Sequence, residues 1–317
     1  MGEYLFESHK ILCIGILTEK SLLLSYPNLY IFPSIYRNVH GIEKYWRKIN
    51  EHFPLIKHKD KWYSDWKYLV KDVDTVILSD GIRGRDVVEY IHKQNSNARI
   101  IIYYCNPNFS HGRNEPSKYK DLPCELVTFD IKNAQDYKIK FRHFYYPYMK
   151  QRLYTIDNDF KQDIFFIGED KGRLDKILEW KKIFNHYGLS CKFYILKTKH
   201  RVYFSNHDEL IDEKIPYEEI IKEIRHSRAI LDFVQDKQHG ITLRPMEAMC
   251  FQKKLITNFE EITQYNFYNQ NNVFRLGYDN LKDLKNFLYT PYEKIDDSIR
   301  MEYVPENWLD TFFEETL

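Results

Sequence analysis

Residues 215–258 read IPYEEIIKEIRHSRAILDFVQDKQHGITLRPMEAMCFQKKLITN, and this stretch decides the fold class. Apolar residues recur at helical spacing between 217 and 228, and the mostly apolar run at 229–234 has the composition of a buried parallel strand. A polar loop leads into a second helix that Pro245 can open, because proline at a first helical position needs no backbone donor. A strand at 255–257 closes the unit. The order strand, loop, helix, strand predicts an α/β domain.

The loop and the helix of this unit carry the polar residues and the glycine of a candidate ligand site, namely Gln238, His239, Gly240, Thr242, Arg244 and Glu247. Loops that follow parallel strands and precede helix N-termini are where α/β proteins hold phosphates. We therefore predict a nucleotide-diphosphate site here. A strand–helix–strand unit that binds no ligand has the same pattern, so this alternative stays open on the pattern alone.

Composition narrows the class of protein. A chain of 317 residues exceeds the usual size of one core and predicts two domains. Its 43% hydrophobic and 29% charged residues are ordinary for a soluble globular protein. A net charge of +1 gives no support to a nucleic-acid partner. The five cysteines are scattered, which argues against a disulfide framework or a zinc site and indicates a reducing compartment.

The longest N-terminal apolar run, 11–17, is too short to span a bilayer and too short for a secretory signal, so we expect a cytoplasmic protein. Aromatic residues reach 16% and include 26 tyrosines, so many of them must be partly exposed. Contact with sugars or with a membrane face would account for this excess. A compositional drift toward Tyr, Asn, Lys and Ile would account for it equally well.

Strands and helices alternate along the chain with one interruption, between 144 and 162. We place a boundary near 150 and predict an N-terminal domain at 1–150, a C-terminal domain at 151–300 and a helical tail at 301–317. The alternation predicts two doubly wound, Rossmann-like domains facing a central cleft. The predicted strands of these domains are 11–17, 29–32, 75–78, 99–104, 125–129, 164–167 and 191–196, and the predicted helices are 43–49, 86–93 and 174–187.

A second basic turn opens the C-terminal domain. The strand that begins at Asp163 runs into a glycine-containing turn with Lys171 and Arg173, and a helix follows directly. Backbone N–H groups at a helix start, together with two cations, can hold a diphosphate. Because this turn and the loop of Arg244 both follow strands of one predicted sheet, we expect them to converge on one ligand. A solvated turn with surface cations is the open alternative.

The order of elements and these residues resemble the C-terminal half of a GT-B glycosyltransferase. The segment 239–248 takes the place of the family's E-x-F-G-x-x-x-x-E-A loop and helix. The resemblance implies that Glu247 bonds the donor ribose and that the backbone of Gly240 faces the donor. Lys171 and the following glycine resemble the family's Lys-Gly turn. His239 replaces the first Glu of the motif, which puts the details of sugar recognition in doubt.

The chain is more closely similar to the bacterial capsular and lipopolysaccharide biosynthesis glycosyltransferases. It has F-F-x-G-x-D-K-G-R at 165–173, I-L-D at 230–232, Q-x-G-x-T-x-R-x-x-E-A at 238–248 and F-Y-N-x-N-N at 267–272. K-K-L-I-T begins at Lys253, but the Asn that ends this motif in the group is missing. The motifs cover about 163–275, and the N-terminal half matches only in architecture.

The resemblance implies a hexosyltransferase-type enzyme that moves a sugar from a nucleotide sugar, most often a UDP-sugar, to a growing, lipid-linked surface polysaccharide. It also implies peripheral contact with the inner face of the cell membrane. GT-B enzymes neutralise the leaving diphosphate without a bound metal, so we expect no metal and no cofactor. Lys171, Arg173 and Arg244 are the candidate cations. Tyr217, at a helix start, covers the base or serves as a core or capping contact.

The acceptor side is less defined. Asp80 follows a strand of the N-terminal domain, and His111 lies in the long loop 106–119. Either could act as general base for an acceptor hydroxyl, with a structural role as the open and weightier alternative for each. His239 is the third candidate catalytic residue. Whether the anomeric configuration is retained or inverted stays open.

Two other functions remain. A UDP-sugar 2-epimerase shares the fold and a nucleotide site, and a GT-B-like binding subunit would need no catalysis. A NAD-linked enzyme is disfavoured because no G-x-G-x-x-G follows a predicted strand, and an NTPase because residues 168–173 lack the G-K-[ST] ending.

Overall fold

The computed structural model describes residues 4–17, 25–52, 59–80, 85–106, 115–152, 159–235 and 238–314. The chain forms two compact units. The first contains Met1–Tyr148 and Val304–Leu317, and the second contains Met149–Tyr303. The C-terminal residues therefore belong to the same unit as the N-terminal ones.

The first unit is built on a six-stranded parallel sheet in the order β2-β1-β3-β4-β5-β6. Alternate residues of its strands enter two apolar clusters, with Leu12 and Val76 in one cluster and Cys13 and Ile77 in the other. Both faces of the sheet are therefore covered, as parallel sheets require. Its strands are β1 (Ile11–Ile14), β2 (Leu29–Phe32), β3 (Thr75–Ser79), β4 (Arg99–Tyr104), β5 (Glu125–Thr128) and β6 (Lys140–Phe141), and its α-helices are α1 (Gly41–His52), α2 (Asp86–Gln94), α3 (Ile131–Tyr137) and α10 (Pro305–Asp310).

The second unit is built on another six-stranded parallel sheet, in the order β12-β11-β10-β7-β8-β9. Its strands are β7 (Gln162–Glu169), β8 (Cys191–Leu196), β9 (Leu210–Ile211), β10 (Ser227–Asp232), β11 (Lys254–Thr257) and β12 (Val273–Arg275), and its α-helices are α4 (Met149–Arg152), α5 (Leu174–His186), α6 (Tyr217–Arg225), α7 (Leu243–Phe251), α8 (Leu284–Tyr289) and α9 (Asp297–Glu302). Read from β9 to β12, with β7 counted as the first strand, the spatial order of the strands is third, second, first, fourth, fifth and sixth. This is the Rossmann order, whose direction of winding reverses between β7 and β10.

The α/β class with two doubly wound, Rossmann-like sheets is thus confirmed. The observed bounds within the decisive segment differ from the prediction: α6 ends at Arg225 and β10 begins at Ser227. β10 ends at Asp232 rather than at 234, and α7 begins at Leu243, so Pro245 is the third residue of the helix and does not open it. Proline is tolerated there because first-turn N–H groups have no helical partner.

All five cysteines are free thiols. Within the described ranges, no helix combines the length and the apolar character needed to cross a bilayer.

Candidate functional site

The turn after β7 and the loop after β10 leave the second sheet at its winding reversal. β7 and β10 are hydrogen-bonded neighbours in parallel, with Ile230 opposite Phe165, so their carboxyl ends lie at one edge. The guanidinium of Arg173 joins the two loops, since it donates to the carbonyl oxygens of Glu169, at 2.6 Å, and of Phe233. Ligands of open α/β sheets bind at such a reversal. The structure therefore brings together the two loops expected to converge.

Arg173 itself has a different environment from the one expected of a phosphate ligand. Besides the bonds to Glu169 and Phe233, its Nε donates to the carbonyl oxygen of Asp170 at 3.2 Å. A guanidinium has five N–H donors, and here at least three point at main-chain oxygens. We therefore assign Arg173 the task of holding the two loops in register.

Asp170, for which the sequence predicts no role, lies just before α5, and its side chain reaches the first residue of that helix. Its buried carboxylate accepts the Leu174 N–H at 2.8 Å and the hydroxyl of Tyr203 at 2.7 Å, and the guanidinium of Arg201 lies 3.1 Å away. A side-chain carboxylate thus takes the place that a ligand anion would take at this helix N-terminus. The cation of this turn that remains available to a phosphate is Lys171, which is exposed and forms no ion pair among the described residues.

The start of α7 is fixed by Thr242. Its hydroxyl oxygen accepts the Arg244 N–H at 3.0 Å, and its hydroxyl donates to the carboxylate of Asp232 at 2.9 Å. The hydroxyl of Thr257, at the end of β11, lies 3.3 Å from the other carboxylate oxygen. Thr242 is therefore the N-cap residue of α7. Asp232, at the end of β10, connects this cap to Thr257 at the end of the neighbouring strand β11.

Asp232 is fully buried, and burial raises the pKa of its carboxyl group to about 6, although the two threonine hydroxyls and the guanidinium of Arg244 oppose the rise. An acid whose folded-state pKa is raised stabilises the protein below its unfolded pKa and loses that contribution as pH rises through the folded pKa. The stability contribution of Asp232 is thus present below pH 3.8 and is lost as the pH passes about 6.

We expect Asp232→Asn to remove this pH dependence. Between about pH 3 and about pH 7 the wild type should lose roughly 3 kcal/mol of unfolding free energy relative to the variant, at 1.36 kcal/mol for each unit of pKa shift. Urea unfolding of both proteins at the two pH values measures the difference. Parallel pH profiles would show that Asp232 titrates in the folded protein as it does in the unfolded chain.

Glu247 lies one turn into α7 and is completely buried. One carboxylate oxygen accepts the Tyr217 hydroxyl at 2.6 Å, and the other accepts a guanidinium N–H of Arg244. Burial raises the pKa of Glu247, and the charge of Arg244 and the hydroxyl of Tyr217 lower it. In this structure the donor partners of Glu247 come from the protein itself. A ribose hydroxyl at Glu247 would either share the carboxylate with the hydroxyl of Tyr217 or displace it.

His239 is held by Glu261, a residue that no sequence motif marks. Its Nδ1 lies 2.6 Å from Oε1 of Glu261, in the turn after β11. A carboxylate at this distance keeps the proton on Nδ1, so Nε2 of the neutral ring is the acceptor. The signal in the sequence was the position of Glu261 just beyond a predicted strand. Gly240 is buried, and its carbonyl oxygen accepts from the amide of Gln238 at 2.9 Å.

Asp80 lies at the winding reversal of the first sheet, the place equivalent to the reversal between β7 and β10 in the second. It directly follows β3, next to β1, where the winding of the first sheet reverses. The Asn106 amide donates to the carboxylate of Asp80 at 3.0 Å, and burial raises the pKa of Asp80.

Gly15, after β1, has a φ of +72°, and a Cβ there would lie 2.7 Å from Oγ of Ser79, so only glycine fits. His111 lies outside the described residues.

Among the described residues, no group of three or more His, Cys, Asp or Glu side chains is placed to hold a metal ion.

No protein-family model matches the chain, and no curated protein matches it by sequence. Among solved structures it is similar to an α1,3-fucosyltransferase crystallised with GDP, at 10% identity and a TM-score of 0.42, over 98% of this chain and 82% of that one. It is also similar to the spinosyn forosaminyltransferase SpnP, at 9% identity and a TM-score of 0.39, over 96% and 95% of the two chains. A third is the glycosyltransferase SnogD from Streptomyces nogalater, at 10% identity and a TM-score of 0.40, over 95% of each chain.

Proposed function

We propose that the protein is a metal-independent glycosyltransferase of the GT-B class that takes a sugar from a nucleotide-sugar donor. The observation that carries this proposal is the pair of loops at the winding reversal of the second sheet. One loop supplies the exposed cation of Lys171, and the other leads through Thr242 into the helix of Arg244 and Glu247. The motif resemblance of residues 163–275 to bacterial surface-polysaccharide glycosyltransferases gives the reaction type.

The diphosphate of the donor would be bound by side-chain cations more than by helix amides. In the first turn of α7, the N–H of Arg244 is taken by Thr242 and Pro245 has no N–H, so the amide of Leu243 is left without an acceptor among the described residues. The guanidinium of Arg244 uses one N–H on Glu247 and keeps others for a phosphate. Arg244 and Lys171 would stabilise the negative charge that develops on the leaving diphosphate.

The ribose would bind at Glu247 by taking the place of the Tyr217 hydroxyl. A carboxylate can accept from two vicinal hydroxyls, which is the role the GT-B resemblance gives to this residue. His239, held through Nδ1 by Glu261, would present Nε2 toward the reacting sugar. Asp80 would be the general base for the acceptor hydroxyl, because a carboxyl group whose pKa is raised by burial is a stronger base than an exposed one.

The finer identity of the reaction rests on the motif resemblance alone. We propose a UDP-sugar as donor, a hexosyl group as the transferred unit and a lipid-linked glycan of the cell surface as acceptor. The first unit would bind the acceptor, and no further cofactor takes part.

The reaction type is tested by incubating the protein with radiolabelled nucleotide sugars, with and without a lipid-linked acceptor, and in the presence of EDTA. We expect label to move to the acceptor at the same rate with and without the chelator. Epimerised nucleotide sugar would identify a 2-epimerase, and unchanged donor that stays bound would identify a binding subunit. Activity that disappears in EDTA and returns with Mn²⁺ would contradict metal independence.

Arg244→Ala should weaken UDP binding by about 1.5–3 kcal/mol, because a charge-assisted hydrogen bond to the diphosphate is lost. Isothermal titration calorimetry with UDP measures the change, and uridine, which has no phosphate but still contacts Glu247, should lose less affinity than UDP does. The matched control is Arg275→Ala. Arg275 ends β12 at the same edge of the sheet, two strands away, and is paired with Asp279 at 3.1 Å. Equal UDP affinity of the Arg244 variant and the wild type would remove Arg244 from the site.

A further inference from the structure

Residues 197–203, the β8 turn, form a further basic turn beside the turn of Lys171. The β8 turn directly follows β8, which pairs in parallel with β7 and places Leu196 opposite Glu169. The N–H of Asp170 donates to the carbonyl oxygen of Leu196 at 2.9 Å. The two turns therefore leave the second sheet side by side at its carboxyl edge. The basic side chains of the β8 turn are Lys197, Lys199, His200 and Arg201.

Hydrogen bonds hold the β8 turn against the turn of Lys171. The hydroxyl oxygen of Thr198 accepts the N–H of Lys171 at 2.8 Å. The hydroxyl of Tyr203 accepts the N–H of Thr198 at 2.8 Å and donates to the buried carboxylate of Asp170 at 2.7 Å. The protein itself thus fixes the position of the β8 turn, without the help of a ligand.

Arg201 of the β8 turn lies between a buried carboxylate and solvent. Its Nη1 is 3.1 Å from Oδ2 of Asp170, and 40% of the Arg201 side chain is exposed. A Cβ at Gly172 would lie 3.3 Å from the same Nη1, so the guanidinium reaches the backbone of the Lys171 turn. A guanidinium has five N–H donors, and one nitrogen faces Asp170 here. The exposed side of this guanidinium can therefore bind an oxyanion such as a phosphate.

The contacts of Glu247 indicate which phosphate of the donor would face Arg201. The proposed ribose site is Glu247, and Glu247 is paired with Arg244. The phosphate bonded to the ribose would then meet Arg244, on the β10 side of the winding reversal. The next phosphate would lie farther from the ribose, on the β7 side, where Lys171 and Arg201 are. Two groups of cations on the two sides of the reversal fit a ligand with two linked anionic groups.

We propose that Arg201, together with Lys171, binds the distal phosphate of a nucleoside diphosphate donor and so favours diphosphates over monophosphates. This inference rests on the proposed function, because it adds a residue to the same donor site. Arg201 lies outside the motif segments 165–173 and 238–248, so the motif resemblance gives it no role. As the glycosidic bond breaks, the guanidinium would also stabilise the charge that develops on the distal phosphate.

Calorimetric titration with UDP and with UMP tests this assignment. We expect Arg201→Ala to weaken UDP binding by about tenfold or more, the scale of one charge-assisted hydrogen bond. UMP lacks the distal phosphate, so its affinity for the variant should stay within about twofold of the wild-type value, which also shows that the variant is folded. Arg244→Ala should weaken the binding of both nucleotides, because the phosphate bonded to the ribose is present in both.

The matched control is Arg228→Ala. Arg228 lies 3.3 Å from the buried carboxylate of Asp163, as Arg201 lies beside that of Asp170, but at the amino edge of the same sheet. Each variant loses an ion pair to a buried aspartate, so both should melt earlier than the wild type. Only Arg201→Ala should lose affinity for UDP.

Four results would overturn the assignment. Equal UDP affinity of Arg201→Ala and the wild type would remove Arg201 from the site and leave the proposed function standing. Equal losses for UDP and UMP would show that Arg201 does not face the distal phosphate. An equal loss of UDP affinity in Arg228→Ala would trace the effect to stability. A wild type that binds neither UDP nor GDP would contradict the proposed donor site itself, so the two failures are distinguishable.

Discussion

Glu247→Ala should lower the free energy of unfolding by about 3–5 kcal/mol, because removal of one partner from a buried pair leaves the other uncompensated. From the sequence alone, a near-normal melting temperature would be expected for this variant. The structure changes that expectation, since the side chain is completely buried between Arg244 and Tyr217. The folded fraction should also lose nucleotide affinity. Thermal melting and UDP titration on the same preparation measure both effects.

Two conservative variants separate binding from folding at Glu247. Glu247→Gln keeps the size of the side chain and can still pair with Arg244 through its amide oxygen, so we expect it to fold but to bind UDP about tenfold more weakly, the scale of one hydrogen bond. Tyr217→Phe removes the hydroxyl that competes with the ribose for the carboxylate. It should bind UDP at least as tightly as the wild type does. If neither variant changes UDP affinity while Glu247→Ala melts early, Glu247 is purely structural.

Trp308→Ala should destabilise the first unit by about 3–5 kcal/mol, the usual loss when a buried tryptophan is truncated. Trp308 is fully buried, with ring centres at 5.2 Å from Tyr103, 4.7 Å from Tyr145 and 4.9 Å from Phe312. A side chain of α10 thus completes the core beneath β4. Urea unfolding followed by tryptophan fluorescence reports this unit, because four of the five tryptophans lie in it.

The control for this variant is Trp46→Ala, which removes the same side chain from an exposed position of the same unit. It should change the unfolding free energy by no more than about 0.5 kcal/mol. Equal unfolding curves for the two variants would mean that the C-terminal segment adds nothing to the core of the first unit.

The strands were the most predictable elements. β4 and β8 have the predicted bounds. In β4 the five consecutive apolar residues from Ile100 to Tyr104 are all buried, as in a parallel strand covered on both faces. α3 was missed because it is short and buries little more than Ala134, so it has no apolar stripe to reveal it. β12 was missed because three residues are too few to show a period.

The location of the candidate site was predictable, and its contacts were not. Strand-end loops of one parallel sheet meet at one edge whatever their sequences, so the approach of the Lys171 turn to the loop after β10 followed from topology. The partners of the polar side chains depend instead on register and helix orientation. Glu247 meets Tyr217 across 30 residues and His239 meets Glu261 across 22, and no local pattern encodes either distance.

Amide hydrogen exchange with and without UDP tests the central claim most directly, because it locates the nucleotide without requiring the correct sugar or acceptor. The proposal predicts that saturating UDP slows exchange in the peptides covering 169–174 and 238–247 of the second unit. It predicts no change in β12 or at the start of α3, and uridine without phosphates should leave the 169–174 turn unprotected. Protection confined to other segments, or none at UDP concentrations that saturate calorimetric binding, would contradict a nucleotide-diphosphate site at the reversal between β7 and β10.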